Sequence, residues 1–318
     1  MTKRQENESA HSLQPMPQAH GVLVLNKPSG PTSARCLNLL KRIGQKKIGH
    51  AGTLDPLASG VLLVLLGQAT KLSGHLLADG GKVYSGCIRL GQTTDTWDIE
   101  GQIVAEAPWR HIRDVQIREA IAQWCELSEQ PVPPYSAAKH EGQPLYRLAR
   151  KGKATPAKVK RIEISQADTL EMSLPLVRFR VSCSSGTYIR SLAHSLGMRL
   201  GCGAVLTELT REYSHPFGLD VACDMQALAD DPSLLVRSLR PITEALPHWP
   251  RVHISPEQAA RVRNGMALPC AKTPIVEGVP LREDGQAIML AQGEALALVR
   301  CQAGPSGPCW AVVRGLWN

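Results

Sequence analysis

The densest set of reactive and flexible residues in the chain is one short stretch, Gly49-His-Ala-Gly-Thr-Leu-Asp-Pro-Leu-Ala-Ser-Gly60. It sets an imidazole, His50, and a carboxylate, Asp55, among three glycines and a proline. A carboxylate in such a loop can act as a nucleophile or as a general acid or base. An Asp-Pro pair is equally a turn or helix-capping device, because the Asp side chain accepts backbone hydrogen bonds and Pro suits a first helical position. His50 likewise has a plain reading as a structural hydrogen-bonding residue. Two further carboxylates, Asp95 and Asp98, lie in the Thr-rich segment Gly91 to Gly101 and read as loop-stabilising. Only five tyrosines and two phenylalanines occur, so each aromatic can be weighed singly. Tyr84 falls on an alternating segment, where core packing and a binding face explain it equally well.

The elements that must position these residues are legible in outline. Gly21-Val-Leu-Val-Leu-Asn26 is a compact apolar run, and Lys27-Pro28-Ser29-Gly30-Pro31 is a loop that neither strand nor helix can cross. Thr32 or Ser33 can cap a helix whose apolar positions Cys36, Leu39, Leu40 and Ile43 fall at helical spacing. Val61 to Leu66 reads as a buried strand. Lys82 to Leu90 and Leu176 to Ser182 alternate as strands. Residues 112 to 127 fit an amphipathic helix with Val115, Ile117, Ala120, Ile121 and Trp124 mostly on one side. Ser184-Ser185-Gly186 turns the chain into a helix from Tyr188 to about Leu200. Pro241, Pro247 and Pro250 mark a boundary. This predicts a disordered tail over residues 1–20, a main domain over 21–250 and a small β-rich module over 251–318. The fold class expected is α+β, with a mixed, largely antiparallel sheet.

Composition narrows the class of partner. The chain has 318 residues, a formal net charge of +8 and a pI near 9.1, which suits a polyanion. The basic residues concentrate in 131–161, where Lys139, Arg147, Arg150, Lys151, Lys153, Lys158, Lys160 and Arg161 follow a proline-rich start. Nine cysteines without a C-x-x-C pair argue against a disulfide frame or a zinc site and for reduced thiols. The polar N-terminal stretch has no signal-peptide apolar run, and Val61 to Leu66 is too short to span a bilayer. A soluble, cytoplasmic protein is expected.

Several separated blocks resemble the TruB family, bacterial synthases that make pseudouridine in the T-loop of transfer RNA. They are Gly21 to Ser33, Gly49 to Leu62, Tyr84, Arg89-Leu-Gly-Gln-Thr-Thr-Asp-Thr-Trp-Asp98 with Gly101, Ser184-Ser-Gly-Thr-Tyr-Ile-Arg-Ser-Leu192, Gly201-Cys-Gly-Ala204 and Leu209-Thr-Arg211. They occur in the family's order and cover most of residues 21 to 218. Asn26 stands where many relatives carry Asp. Val262-Arg-Asn-Gly-Met266 and the short strands around it resemble a PUA domain.

The resemblance implies a pseudouridine synthase fold and isomerisation of the uridine at position 55 of transfer RNA. It implies that Asp55 is the essential carboxylate, acting at the ribose of a flipped-out uridine as nucleophile or as base. By the same resemblance Arg190 pairs with Asp55, Tyr84 stacks on the uracil, and Tyr188 lies near the base as a candidate to remove the C5 proton. Leu209 is an apolar wall, and His50 fills the space the uridine leaves. The basic segment 131–161 resembles the insertion that grips the T-arm. The reaction breaks N1–C1′ and makes C5–C1′ without a net redox change, so no cofactor or metal is implied.

Other readings make different demands. An RNA chaperone using the same groove would not need Asp55, Tyr84, Tyr188 and Arg190 together. A guide-RNA-dependent catalytic subunit shares the Gly-Thr-Leu-Asp-Pro segment, yet would carry partner surfaces and often Lys-rich tails. A glycoside hydrolase usually needs two cooperating carboxylates, and Asp55 alone sits in a recognisable setting. The expectation is a stand-alone monomer acting on the T-arm of transfer RNA, without guide RNA, protein partner or membrane.

Overall fold

The computed structural model describes residues 16–317 apart from 79, 137, 141, 150–157, 274, 278–284 and 305–306. Of the expected tail, residues 1–15 lie outside the described residues. Residues 16–20 pack against the end of the first helix. Met16 N–H donates to Ile43 O, Ala19 N–H to Gln45 Oε1, and Gln18 Nε2 to Gly44 O.

The main sheet is built on two continuous apolar strands. Strand β1 (Gly21–Lys27) pairs antiparallel with β3 (Ser59–Leu66), and β2 (Ile48–Ala51) pairs antiparallel with the other edge of β3. Side chains alternate across a strand, and here each set finds its own core. Leu23, Leu25, Leu62, Val64 and Leu66 face the cluster that includes helix α1 (Ser33–Arg42) and the helix Ile189–Leu200. Val22, Val24, Val61, Leu63 and Leu65 face a second cluster shared with Ile288, Leu290, Leu298 and Leu316. The runs are unbroken because the sheet is covered on both faces. Each buried aliphatic side chain contributes about 1.5–3 kcal/mol.

Helix α1 starts where Thr32 Oγ1 accepts the Arg35 N–H, and it buries Cys36, Leu39 and Leu40. Strand β4 (Lys82–Leu90) lies between the strands Leu176–Cys183 and Ala204–Ser214, antiparallel to both. Ala204–Ser214 then meets β3 in parallel, and β1 meets Cys223–Asp224 in parallel. The sheet is therefore mixed and largely antiparallel, as expected. Helix Asp114–Ala122, continued by the 3-10 turn Gln123–Glu126, buries Ile117, Ala120, Ile121 and Trp124 but leaves Val115 exposed. Within 131–161, the strand Val159–Arg161 pairs with Glu129–Pro131, and a short helix spans Leu145–Ala149.

A separate six-stranded sheet draws all its strands from residues 251 to 315, and with the helix Pro256–Arg263 it forms a small PUA-like domain. Its own core holds Val252, Val262, Met289, Val299 and Trp310. Residues of the second cluster pack it against the back of the main sheet, and Lys71 Nζ donates to Gly315 O.

Candidate active site

Asp55 lies in the loop between β2 and β3, and a second loop braces it. Lys27, fully buried at the end of β1, donates its three ammonium hydrogens to the carbonyls of Pro28, Pro31 and Pro56. Burial pushes the Lys27 ammonium below its ordinary pKa, with the Cys36 and Asp55 charges opposing that shift. Ser33 brackets Leu54, accepting its N–H at 2.8 Å and donating to its carbonyl at 2.9 Å. The apolar run, the Lys-Pro loop and the helix cap thus fix the backbone on either side of Asp55. Gly60, at φ +100°, ends the loop where Arg211 O would lie 2.3 Å from any Cβ, so only glycine lets β3 start beside the neighbouring strand.

Arg190 reaches Asp55 from the first turn of the helix Ile189–Leu200. Its Nε donates to Asp55 Oδ2 at 2.8 Å, Nη1 to Thr96 O at 3.0 Å and Nη2 to Tyr135 O at 3.0 Å. Asp98 Oδ2 lies 3.6 Å from Nε, so Asp98 belongs to the ion cluster as well as to its loop. Burial raises the Asp98 carboxyl above its ordinary pKa, while the Thr96 hydroxyl bond and Arg190 work against that rise. The Arg190 side chain is 5% exposed and that of Asp55 38%, so the pair presents its carboxylate outward from a buried cation. The segments that Arg190 grips are themselves pinned. Trp97, at φ 66°, stacks on His194 one helical turn beyond Arg190, with centroids 4.3 Å apart. Gln130 exchanges both side-chain hydrogen bonds with the Tyr188 backbone, and Ser191 Oγ donates to Pro131 O.

Asp55 opens onto a cleft of about 370 Å³ lined also by Tyr84, Tyr188, Arg190 and Leu209. Tyr84 projects from β4 and is nearly fully buried. Burial raises its phenol pKa, and Arg211 beside the hydroxyl opposes the rise. Tyr188 stands at the N-cap position of its helix; burial raises its phenol too. Leu209 forms an apolar wall from the strand Ala204–Ser214. Five of the six expected residues therefore share one cleft. His50 does not line it: it sits in β2 opposite Val64, half-buried, with Nδ1 unpaired among the described residues. Burial, then Arg211, lowers its imidazole pKa.

Three cations at the cleft had no site role from the residues alone, Lys160 being counted only in the basic segment 131–161. Lys82 and Lys160 line the same cleft, and Arg211 is fully buried behind it. Lys82 shares the face of β4 with Tyr84 and Arg211 follows Leu209 by two, so the period of a strand was the available signal. Among the described residues no group of His, Cys, Asp and Glu side chains could hold a metal ion.

Three comparisons bear on this site. The family model described as "TruB family pseudouridylate synthase (N terminal domain)" matches residues 41–189. The "tRNA pseudouridine synthase B" of Nitratidesulfovibrio vulgaris strain Hildenborough is 61% identical over 302 residues, 95% of this chain and 99% of that protein. The protein of the same name from Oleidesulfovibrio alaskensis strain G20 is 58% identical over 307 residues, 95% of this chain and 97% of that one. Among solved structures, a Cbf5–Nop10–Gar1 complex matches with a TM-score of 0.68 at 25% identity, covering 94% of this chain and 85% of that chain. An archaeal box H/ACA sRNP Nop10–Cbf5 complex matches with a TM-score of 0.67 at 25% identity, covering 94% and 86%.

Proposed function

The chain belongs to the TruB family of pseudouridylate synthases, and from that membership we infer that it isomerises uridine to pseudouridine in transfer RNA. The target is the T-loop uridine. The observation that carries the site assignment is the Asp55–Arg190 ion pair at the mouth of a cleft lined by Tyr84, Tyr188 and Leu209.

Asp55 acts at the ribose, as nucleophile at C1′ or as base at C2′. The Arg190 bond to Oδ2 orients the carboxylate and leaves Oδ1 for the sugar. The uracil must stay in place once N1–C1′ has broken. Tyr84 stacks on it and Leu209 closes the other side, which keeps water from capturing the sugar. Tyr188 lies beside the base near C5. Burial keeps its phenol protonated in the empty cleft, so it orients the base; once the new C5–C1′ bond has made the C5 proton acidic, it relays that proton, taking it while its own hydroxyl proton passes to solvent. His50 takes the space the flipped uridine leaves; its neutral imidazole and unpaired Nδ1 support that part. Flipping costs a few kcal/mol, offset by these contacts.

The basic residues of 131–161 contact T-arm phosphates, and the enzyme works as a cytoplasmic monomer without guide RNA or protein partner. Charge supports the RNA contact. Among the described residues no helix is long and apolar enough to cross a membrane. Incubating unmodified transfer RNA with the purified protein and mapping pseudouridine tests the assignment. One modified T-loop uridine is expected; an unmodified T-loop, or a requirement for added guide RNA, would sink it.

A further inference from the structure

Lys82 and Lys160 in the cleft, with Arg211 behind them, carry positive charge that no carboxylate among the described residues pairs with. Lys82 comes from β4, Lys160 from the strand Val159–Arg161 and Arg211 from the strand Ala204–Ser214. Lys82 is only 5% exposed, and its Nζ donates to Ser185 Oγ at 2.8 Å. Arg211 commits Nε to Val61 O and Nη2 to Gly52 O. Lys160 lies across Gly186, whose φ of +83° and missing Cβ make room for the ammonium. Among the described residues none of these three cations has a carboxylate partner, whereas Asp55 and Asp98 share Arg190.

The groups that face Lys82 are Arg211, Lys160 and the Cys183 thiol. Burial pushes that thiol up to about 11, so it is uncharged at neutral pH. A buried, hydrogen-bonded ammonium flanked by two cations and no anion is costly in the empty protein. An arriving anion removes that cost. The reacting uridine brings only one kind of anion: uracil and ribose are neutral, and a phosphodiester lies on each side of the ribose that Asp55 must reach.

We propose that Lys82, with Ser185 and Lys160 beside it, forms an anion subsite for the phosphodiester adjoining the flipped uridine. This rests on the reading of the cleft as the place where an RNA uridine reacts. The subsite ties the ribose to the enzyme at a point separate from the carboxylate and the base. Its strength is pH-dependent, because burial, then Arg211, lowers the Lys82 ammonium to about 8.

The test uses the full-length protein and a T-arm stem–loop RNA, with and without one uncharged methylphosphonate linkage on either side of the target uridine. Lys82→Gln is expected to weaken binding about tenfold and to lower the salt slope of log K by about one. The methylphosphonate on one side should weaken the wild type by the same factor and add nothing in Lys82→Gln. Wild-type affinity should fall about three- to fivefold from pH 8 to pH 9, as the protonated fraction of Lys82 drops from about one half to about one tenth. Lys82→Arg should restore binding and stay flat over that range, a result a merely structural lysine would not produce. Equal binding by Lys82→Gln and wild type would overturn the proposal, as would a methylphosphonate loss of the same size in both. These are binding readouts. If they hold while the wild type makes no pseudouridine, the activity assignment fails and the subsite stands. If pseudouridine forms and the coupling is absent, the subsite fails alone.

Discussion

Arg190 holds Asp55 through one nitrogen only, Nε at 2.8 Å from Oδ2, while its other two nitrogens are fastened to the carbonyls of Thr96 and Tyr135. The guanidinium is therefore a joint between three chain segments far apart in sequence, and the position of the carboxylate depends on all of them. The family blocks around residues 55, 96 and 190 meet at this one side chain.

Arg190→Lys keeps the charge but loses the fork. A single ammonium cannot serve Asp55, Asp98 and two carbonyls, so the carboxylate moves. A displacement of this kind costs about 100-fold in kcat, and the stranded buried acceptors cost about 1–3 kcal/mol of stability. Single-turnover assays and thermal unfolding would read both. Unchanged kcat would mean Arg190 does not position Asp55.

Lys82 makes the protein's stability depend on pH in a stated direction. Its pKa falls from 10.5 in the unfolded chain to about 8 in the fold. A depressed pKa favours folding of the neutral form, so its contribution is fully present above pH 10.5 and is lost as pH falls through about 8. At pH 7 the buried charge costs about 3 kcal/mol. Lys82→Met should therefore unfold at a higher temperature than wild type at pH 7, with the gap closing as pH rises toward 10.5. A gap independent of pH between 7 and 10 would contradict this.

Tyr84 is expected to act through its ring. Tyr84→Phe keeps the face and should retain most activity, while Tyr84→Leu should lose about 10- to 100-fold in kcat/KM, the worth of one base–aromatic stack. Both variants keep an apolar side chain in the same core cluster, so thermal unfolding should separate them far less than activity does. Equal kcat/KM for Phe and Leu would remove the stacking role.

How much of this was legible from the residues varies with the element. The unbroken runs in β1 and β3 announced strands covered on both faces, and Thr32 announced the start of α1. The strand Ala204–Ser214 was not legible: Glu208, Arg211 and Glu212 interrupt its apolar pattern, and Arg211 is buried only because Val61 and Gly52 carbonyls meet it there. Asp55 alone is an ordinary Asp-Pro turn. Its setting became legible through the family blocks, since Arg190 lies 135 residues away and no local pattern joins the two. Asp98 read as a loop residue and is one, yet it also stands 3.6 Å from Arg190.

The PUA-like domain covers the back of the catalytic sheet as well as forming its own sheet. A chain ended at residue 250 would lose Ile288, Leu290, Leu298 and Leu316 from the cluster holding Val22, Val24, Val61, Leu63 and Leu65. That exposed apolar face should make the fragment aggregate or bind a hydrophobic dye strongly. A soluble fragment with the unfolding midpoint of the full chain would contradict the shared core.

The account depends most on Asp55. Transfer RNA carrying tritium at C5 of uridine loses one tritium for each pseudouridine formed, so release counts turnovers directly. Wild type should release the T-loop tritium. Asp55→Asn, which keeps the size of the side chain but cannot attack the sugar or take its proton, should bind the same RNA and release none above background. Release by Asp55→Asn at the wild-type rate would contradict the assignment of Asp55 as the carboxylate that acts at the ribose.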